Sequence, residues 1–88
     1  MAIARLNGEV IAESTDTVVL EGHRYFPAQS VRVELLRPTA TKDDRPYYSV
    51  IVHGKSTPDC ACYLTGSGVP DPRIAEHVEF FNPVVVEE

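Results

Sequence analysis

The chain is predicted to fold as an all-β domain with one short helix, built from small, mostly antiparallel sheets in a sandwich-like or barrel-like arrangement. Three observations predict this class. Apolar and polar residues alternate over short runs, turn-forming residues separate the runs, and one stretch alone carries an apolar row at helical spacing. At 88 residues the chain is expected to form a single domain, residues 1–88, because a domain usually takes roughly 100–200 residues.

The first half of the chain is predicted to contain four strands. Asn7-Gly8 suits the positive φ angles of a type I′ turn and therefore predicts a hairpin. The third strand is rich in β-branched residues, and the fourth alternates apolar with polar side chains. Pro27 is expected to open a single helical turn, since a first-turn residue needs no amide donor. The predicted strands are Ala2–Leu6, Glu9–Glu13, Thr17–Glu21 and Val31–Arg37.

The second half is predicted to contain four more strands, a flexible loop and the short helix. Asp71-Pro72 reads as a helix N-cap followed by a first-turn proline, and Ile74, Ala75 and Val78 share one helical face. The predicted strands are Tyr47–His53, Asp59–Leu64, Glu79–Phe81 and Val84–Val86, with a turn at His53-Gly54-Lys55 and a loop over Gly66–Pro70.

The charge of the chain limits its partners. Thirteen acidic against eight basic residues give a net charge of −5, which argues against a general affinity for nucleic acid, since that requires a cationic surface. No run approaches the roughly 18 apolar residues of a membrane span, and no export signal is readable at the start. Two cysteines in such a chain are expected to be reduced thiols. A cytoplasmic location without membrane or nucleic-acid partners is the expectation.

Cys60-Ala61-Cys62 is the most conspicuous pair of reactive side chains. Alternate residues of a strand project to the same face, so both thiols are expected to point one way. Three interpretations stand beside each other: small buried hydrophobes, a redox pair, or part of a metal site completed by His23, His53 or His77. Two thiols fall short of the four ligands of a structural zinc site. Core packing is therefore the prediction, with no metal and no cofactor.

The run Glu21–Pro27 gathers chemistry that could hold a ligand. Glu21, His23 and Arg24 supply a carboxylate, an imidazole and a guanidinium directly after a predicted strand, where functional loops often lie. The alternative is a structured turn with Phe26 in the core. Asp43-Asp44 could hold a divalent ion, although an exposed polar loop explains the pair better.

At EGHRYFP the chain resembles the domain of unknown function 427 family. The resemblance rests on IAES, TVVLEG, LLRP and YYSVIVHG, followed by PDCACYL, the step Asp71-Pro72 and IAEHVEFF, in order along nearly the whole chain. It implies a compact, mostly antiparallel β fold similar to the β-tent architecture of type-B methionine sulfoxide reductases, and no settled activity. It does not extend to a zinc site, because the paired C-x2-C knuckles of zinc-binding β-tent relatives are absent here.

Two departures from the family pattern bear on its pocket. A CPWKG-type segment usually precedes the paired tyrosines, whereas Thr39–Pro46 reads TATKDDRP here. Cys62 stands where the family tends to have tryptophan. If these groups build the family pocket, its wall is altered in this chain.

The predicted function is binding of a small molecule or partner, without catalysis that the sequence demonstrates. Glu21 or His23 would handle protons, Arg24 would hold an anion, and tyrosines would form an aromatic wall. One alternative is a hydrolase or transferase acting on a phosphorylated or nucleotide-like compound, and another is an interaction protein that forms a homodimer through the edge strand Val84–Val86. The predicted ligand-binding residues are Glu21, His23, Arg24, Tyr25, Tyr47, Asp59 and Tyr63.

Tyr47 and Tyr48 are adjacent on one predicted strand and must face opposite sides of the sheet. Tyr48 shares its face with Val50 and Val52, whereas Tyr47 shares a mixed face with His53. Tyr48 is therefore predicted to be the core tyrosine, and Tyr47 to line any cleft near EGHRYFP.

Overall fold

The computed structural model describes residues 1–42, 45–65, 69 and 71–88. Within them the chain forms two antiparallel sheets that are not closed into a barrel. The nine strands of the described residues are β1 (Ala2–Leu6), β2 (Glu9–Ser14), β3 (Val18–Leu20), β4 (His23–Pro27), β5 (Leu36–Lys42), β6 (Arg45–Val52), β7 (Lys55–Leu64), β8 (His77–Phe80) and β9 (Val85–Glu87). The all-β prediction is confirmed.

Neighbouring strands are largely joined by tight hairpins. The small sheet has the order β2-β1-β9, and the large sheet has the order β3-β4-β8-β7-β6-β5. Asn7-Gly8 connects β1 to β2 with φ angles of 53° and 82°, the positive values that a type I′ turn requires. The predicted turn at His53-Gly54 has the same character, with φ angles of 53° and 77°. Local turn chemistry therefore sets the pairing of these strands.

The main core fills the space between the two sheets. Leu6 and Ile11 of the small sheet pack there against Phe26 and Phe80 of the large one, and the two phenylalanine rings meet edge to face at 5.5 Å. A second cluster lies apart from the main core and contains the buried side chains Tyr25, Cys62, Leu64 and Ile74, with Val18, Leu20, Tyr47, Val69 and Phe81 packed around them.

The predicted strand Val31–Arg37 is wrong. Val31 forms a single bridge with Ala12, and Val33–Leu35 is a 3-10 turn. The Arg32 amide donates to the carbonyl of Ile11, and the Leu35 amide donates to the carbonyl of Arg32, so the backbone cannot remain extended. The strand β5 begins only at Leu36. The single turn expected after Pro27 is present as Ala28–Ser30.

The predicted short helix is reduced to one 3-10 turn, Pro72–Ile74. The N-cap prediction is confirmed, because the Arg73 amide donates to the Asp71 side chain at 2.8 Å. Ala75 has a ψ of 138° and Glu76 has a φ of 60°, and these non-helical conformations end the turn. Val78 therefore belongs to β8 and not to a helix. The predicted loop Gly66–Pro70 and the pair Asp43-Asp44 lie outside the described residues, except for Val69.

No helix in the described part of the chain is long and apolar enough to cross a membrane.

The predicted strand Val84–Val86 is shifted by one residue along the chain. Val84 is buried in the main core, and β9 begins at Val85.

Candidate functional site

A hairpin between β3 and β4 places His23 and Arg24 at the start of β4. Glu21 and Gly22 form its turn, with φ angles of 53° and 81°, and β4 begins at the next residue. The predicted loop is thus a turn followed by a strand, since positive φ at both central positions folds the chain directly back on β3. His23 and Arg24 are adjacent on β4 and therefore start on opposite faces.

The polar pocket lies beside this hairpin and encloses about 300 Å³. This volume is at the lower end of the roughly 300–1,000 Å³ of small-molecule sites. Two of the predicted residues, His23 and Arg24, line it together. The lining residues are Gly22, His23, Arg24, Glu79, Phe80 and Val86.

Glu79 is the buried charge of the polar pocket. Glu79 is 7% exposed, and its Oε2 lies 2.8 Å from Nδ1 of His23. The pairing of β4 with β8 sets Glu79 opposite Tyr25. Burial raises the pKa of Tyr25, and the Glu79 carboxylate raises it further. Tyr25 is therefore a protonated phenol behind the pocket at neutral pH.

Arg24 is held from two sides. Its Nη1 donates to Oγ1 of Thr17 at 2.7 Å, and its Nη2 lies 3.1 Å from a carboxylate oxygen of Glu88. Arg24 is mostly covered, whereas the Glu88 side chain is 73% exposed. The guanidinium is thus fixed in place, and the carboxylate that it holds is open to solvent.

The apolar pocket is a second concave site and encloses about 210 Å³. Strands β5 to β8 supply most of its wall, and the two 3-10 turns near Ala28 and Val33 supply the rest. Tyr48 and Tyr63 are its aromatic groups. The lining residues are Ala28, Val33, Leu36, Tyr48, Tyr63 and Val78.

The Glu76 carboxylate is hydrogen-bonded to Tyr63, a residue of the apolar wall. The Tyr63 hydroxyl donates to Oε2 of Glu76, and the Thr65 hydroxyl donates to Oε1 at 3.3 Å. The bond to Glu76 is the main reason why the pKa of Tyr63 is raised, with burial second. The positive φ of Glu76 is uncommon for a residue with a side chain, and such conformations cluster at functional sites.

Asp59 and Tyr47 form a third group around Lys42. The Thr39 hydroxyl donates to Asp59 at 2.9 Å, and Nζ of Lys42 donates to it at 3.3 Å. These contacts lower the pKa of the Asp59 carboxyl, the Thr39 bond more than the Lys42 bond. Nζ of Lys42 also lies 5.0 Å from the centre of the Tyr47 ring. The Asp59 carboxylate on β7 is thereby bound to two side chains of β5.

The cysteines are free and buried, but the expectation that they share a face is wrong. Cys60 packs in the main core and Cys62 in the second cluster. Asp59 has a φ of 54°, and the β6–β7 register shifts between Tyr48 and Val50, so a bulge breaks the alternation of side chains. Burial raises the pKa of both thiols, which makes them poor nucleophiles at neutral pH.

The seven predicted ligand-binding residues are thus divided among several places. His23 and Arg24 meet at the polar pocket, Tyr63 lines the apolar pocket, and Tyr47 and Asp59 flank Lys42. Tyr25 packs in the second cluster, while Glu21 is exposed in the hairpin turn.

Tyr47 and Tyr48 pack against different clusters, as their adjacency predicts. Tyr48 contacts the main core and Tyr47 the second cluster, where the Tyr47 ring stacks on Phe81 at 6.1 Å. Both are half-buried, and it is Tyr48 that lines one of the two pockets described above.

Sequence reasoning missed two residues, Glu79 and Glu76. Glu79 stands between Val78 and Phe80, so an acid in an apolar run was the available signal. Glu76 carried no comparable signal. In the described part of the chain, no group of three His, Cys, Asp or Glu side chains is placed to hold a metal ion.

Two antiparallel sheets with a polar and an apolar pocket define a small all-β domain. The family comparison is consistent with this class and names no activity. The family model described as "Domain of unknown function (DUF427)" matches residues 2–88, and the chain therefore belongs to this family. The search of curated proteins finds no match for it.

Proposed function

We propose that the domain binds a small anionic molecule in the polar pocket, with Arg24 holding a carboxylate or phosphate group. The observation that carries the proposal is the Glu88 carboxylate at 3.1 Å from Nη2 of Arg24. A carboxylate of the chain itself stands where the anionic group of a ligand would bind. Arginine suits both groups because its N–H donors match their oxygens in pairs.

The contact with Glu88 is easily replaced. An exposed ion pair contributes about 0–1 kcal/mol, since water screens the charges and two long side chains lose freedom. Thr17 keeps one end of the Arg24 guanidinium in place whether or not Glu88 stays. An incoming anion therefore meets a donor that is already oriented, which lowers the entropy lost on binding.

The remaining lining residues suit a ligand with one polar and one apolar side. Phe80 and Val86 supply apolar contacts, while the His23 imidazole is steered by Glu79 through its Nδ1. With Nδ1 committed to the carboxylate, Nε2 is the nitrogen left for a ligand.

The test is calorimetric titration with inorganic phosphate and with acetate at constant ionic strength. Arg24→Gln should weaken binding about tenfold or more, because a hydrogen bond between charged groups is worth roughly 1.5–3 kcal/mol. Arg73→Gln is the matched control, since Arg73 pairs with Asp71 on the turn before β8, and it should leave binding unchanged. Equal affinity of both variants, or no binding by the unaltered chain, would contradict the proposal.

A second candidate function is a hydrolase or transferase acting on a phosphorylated or nucleotide-like compound. The observation that favours it is the imidazole–carboxylate pair of His23 and Glu79, 2.8 Å apart and beside Arg24. A carboxylate that orients an imidazole prepares it to accept a proton. Turnover of a compound that binds the pocket, lost in His23→Gln while binding is kept, would distinguish this function from binding alone.

The third candidate is self-association through β9. In the described residues β9 pairs with β1 alone and ends the small sheet, and the Val85 side chain is exposed. An exposed strand edge is a template for pairing with another chain. Sedimentation velocity would show a dimer, and Val85→Lys should convert it to a monomer.

A further inference from the structure

We propose that the apolar pocket is a binding site for a flat aromatic molecule that carries a protonated amine, with the amine held by Glu76. The site is separate from the polar pocket, and the inference does not depend on the function proposed above. It rests on the size of the cavity, on the residues of its wall and on the carboxylate next to that wall.

The cavity has the size of a one-ring or two-ring aromatic molecule. Apolar cavities of about 150 Å³ take up benzene, and this pocket encloses about 210 Å³. It is open to solvent on one side, so a ligand can enter without unfolding the wall. A substituent on the ring can also extend outwards.

The wall is apolar where the ring would lie. Leu36 and Val78 come from the large sheet, and Ala28 and Val33 come from the 3-10 turns above it. Val33 is 65% exposed. Removing apolar surface from water stabilises a structure by about 25 cal/mol for each Å². A ligand in the pocket would cover Val33 and complete the burial that the fold leaves undone.

One end of the wall is polar. The Tyr63 hydroxyl bonds to Glu76, and Tyr48 lines the same pocket as Tyr63. Thr65 donates to the second oxygen of Glu76, and the Glu76 carbonyl accepts from the amide of Ala28 at 3.0 Å. An apolar wall with a few converging polar groups is the usual composition of a small-molecule site.

The carboxylate of Glu76 selects a cation. Its two hydroxyl contacts leave its negative charge uncompensated by either partner, and the lone pairs of a carboxylate can accept further bonds. The faces of Tyr48 and Tyr63 attract a cation as well. Arg37, which follows Leu36, directs its guanidinium to the carbonyls of Glu34 and Leu36. The net charge of −5 adds a long-range attraction for cations.

Three indoles with the same ring test the proposal. Tryptamine is a cation, indole is neutral, and indole-3-acetate is an anion at neutral pH. Their dissociation constants are measured by amide chemical-shift titration of the full chain. Tryptamine should bind roughly two- to fivefold more tightly than indole, the ratio that corresponds to an ion pair of about 0.5–1 kcal/mol with the exposed Glu76 carboxylate, and indole-3-acetate should bind most weakly.

Two variants separate the ring from the amine. Glu76→Gln should remove the preference for tryptamine and leave the affinity for indole unchanged. Val33→Arg should fill the mouth of the pocket and weaken all three ligands at least tenfold. Val19→Arg is its control, because Val19 is also exposed but lies on β3.

The proposal is overturned by any of three results. These are no shift of the pocket amides with any of the three indoles up to millimolar concentration, equal affinity for tryptamine and indole-3-acetate, or equal effects of Val33→Arg and Val19→Arg. None of them would affect the anion-binding proposal, whose test depends on Arg24.

Discussion

The polar pocket and the apolar pocket share one strand but differ in how each holds its charge. On β8, Glu79 lines the polar pocket, and its neighbour Val78, which projects to the other face of the strand, lines the apolar one. The polar pocket contains a cation, Arg24, which forms an ion pair with Glu88 of the same chain. The apolar pocket offers a carboxylate, Glu76, that accepts from two neutral hydroxyls. The comparison shows how a single strand serves two sites of opposite preference through the alternation of its side chains.

The largest expected effect concerns the main core, which supports both pockets. Phe26 is fully buried in the main core, next to Phe80, and β4 carries it between Arg24 and the turn that holds Ala28. Phe26→Ala should destabilise the domain by about 3–5 kcal/mol, since the lost contacts leave a cavity. Urea unfolding followed by circular dichroism measures the loss.

Phe81→Ala is the matched control, because Phe81 is only half-buried and packs in the second cluster. It should cost clearly less free energy of unfolding than Phe26→Ala. Similar losses would contradict the expectation that the main core, and not the second cluster, supplies most of the stability on which both pockets depend.

The second effect tests whether the pockets are independent. Arg24→Gln should weaken phosphate about tenfold and leave tryptamine within about twofold, and Val33→Arg should do the reverse. Effects at sites without shared partners add within roughly 0.3–0.5 kcal/mol. The double variant, titrated with both ligands, should therefore repeat the two single results. A change of tryptamine affinity in Arg24→Gln would show that β8 couples the pockets.

A smaller effect, of opposite sign, is expected at Glu88. Removing its charge frees Arg24, so Glu88→Gln should bind phosphate roughly two- to fivefold more tightly, the factor that corresponds to an exposed ion pair of about 0.5–1 kcal/mol. Calorimetric titration measures the gain. Glu87→Gln is the control, because the Glu87 carboxylate accepts from Nε of Arg5 at 2.7 Å. If Glu88→Gln binds phosphate no better than Glu87→Gln, the carboxylate does not stand in the place of the ligand.

The two regions also differ in how far the sequence predicts them. His23 and Arg24 are adjacent in the chain, so any fold brings them together, and the sequence analysis placed them in one site. The buried partner of His23, Glu79, comes from β8, and the pairing of β4 with β8 joins residues fifty or more positions apart. Local patterns do not specify that pairing. The apolar pocket depends still more on such pairing, and its role was not predicted.

The fold shows the same limit at particular residues. Asn7-Gly8 and His53-Gly54 announce their turns locally, and both predictions are confirmed. Glu21-Gly22 carries a comparable signal, and the structured turn with Phe26 in the core, given above as the alternative interpretation, is what forms there. Val33 and Leu35 alternate as in a strand, but the bond from the Arg32 amide to Ile11 is a long-range contact that overrides the pattern. The bulge at Asp59, which sends the two cysteines to different clusters, does have a local signal, because a proline inside a strand is typical of a bulge and Pro58 directly precedes it.

The smallest expected effect uses pH to test the support of Glu76. The 3-10 turn before Glu76 is capped by Asp71, whose pKa the Arg73 guanidinium and the Arg73 amide lower from 3.8 to about 2. A carboxyl whose pKa is depressed by folding stabilises the folded state above its ordinary pKa, and this contribution is lost as pH falls through the folded value. The melting temperature of the unaltered chain should therefore exceed that of Asp71→Asn at pH 7, and the difference should shrink between about pH 4 and pH 2. In a chain that carries Arg73→Gln, the larger cause of the depressed Asp71 pKa is absent. The melting-temperature difference caused by Asp71→Asn should therefore decrease less steeply over this pH range. A difference that stays constant down to pH 2 would show that the charge of Asp71 does not hold the turn, and the turn would then owe its place to the burial of Ile74.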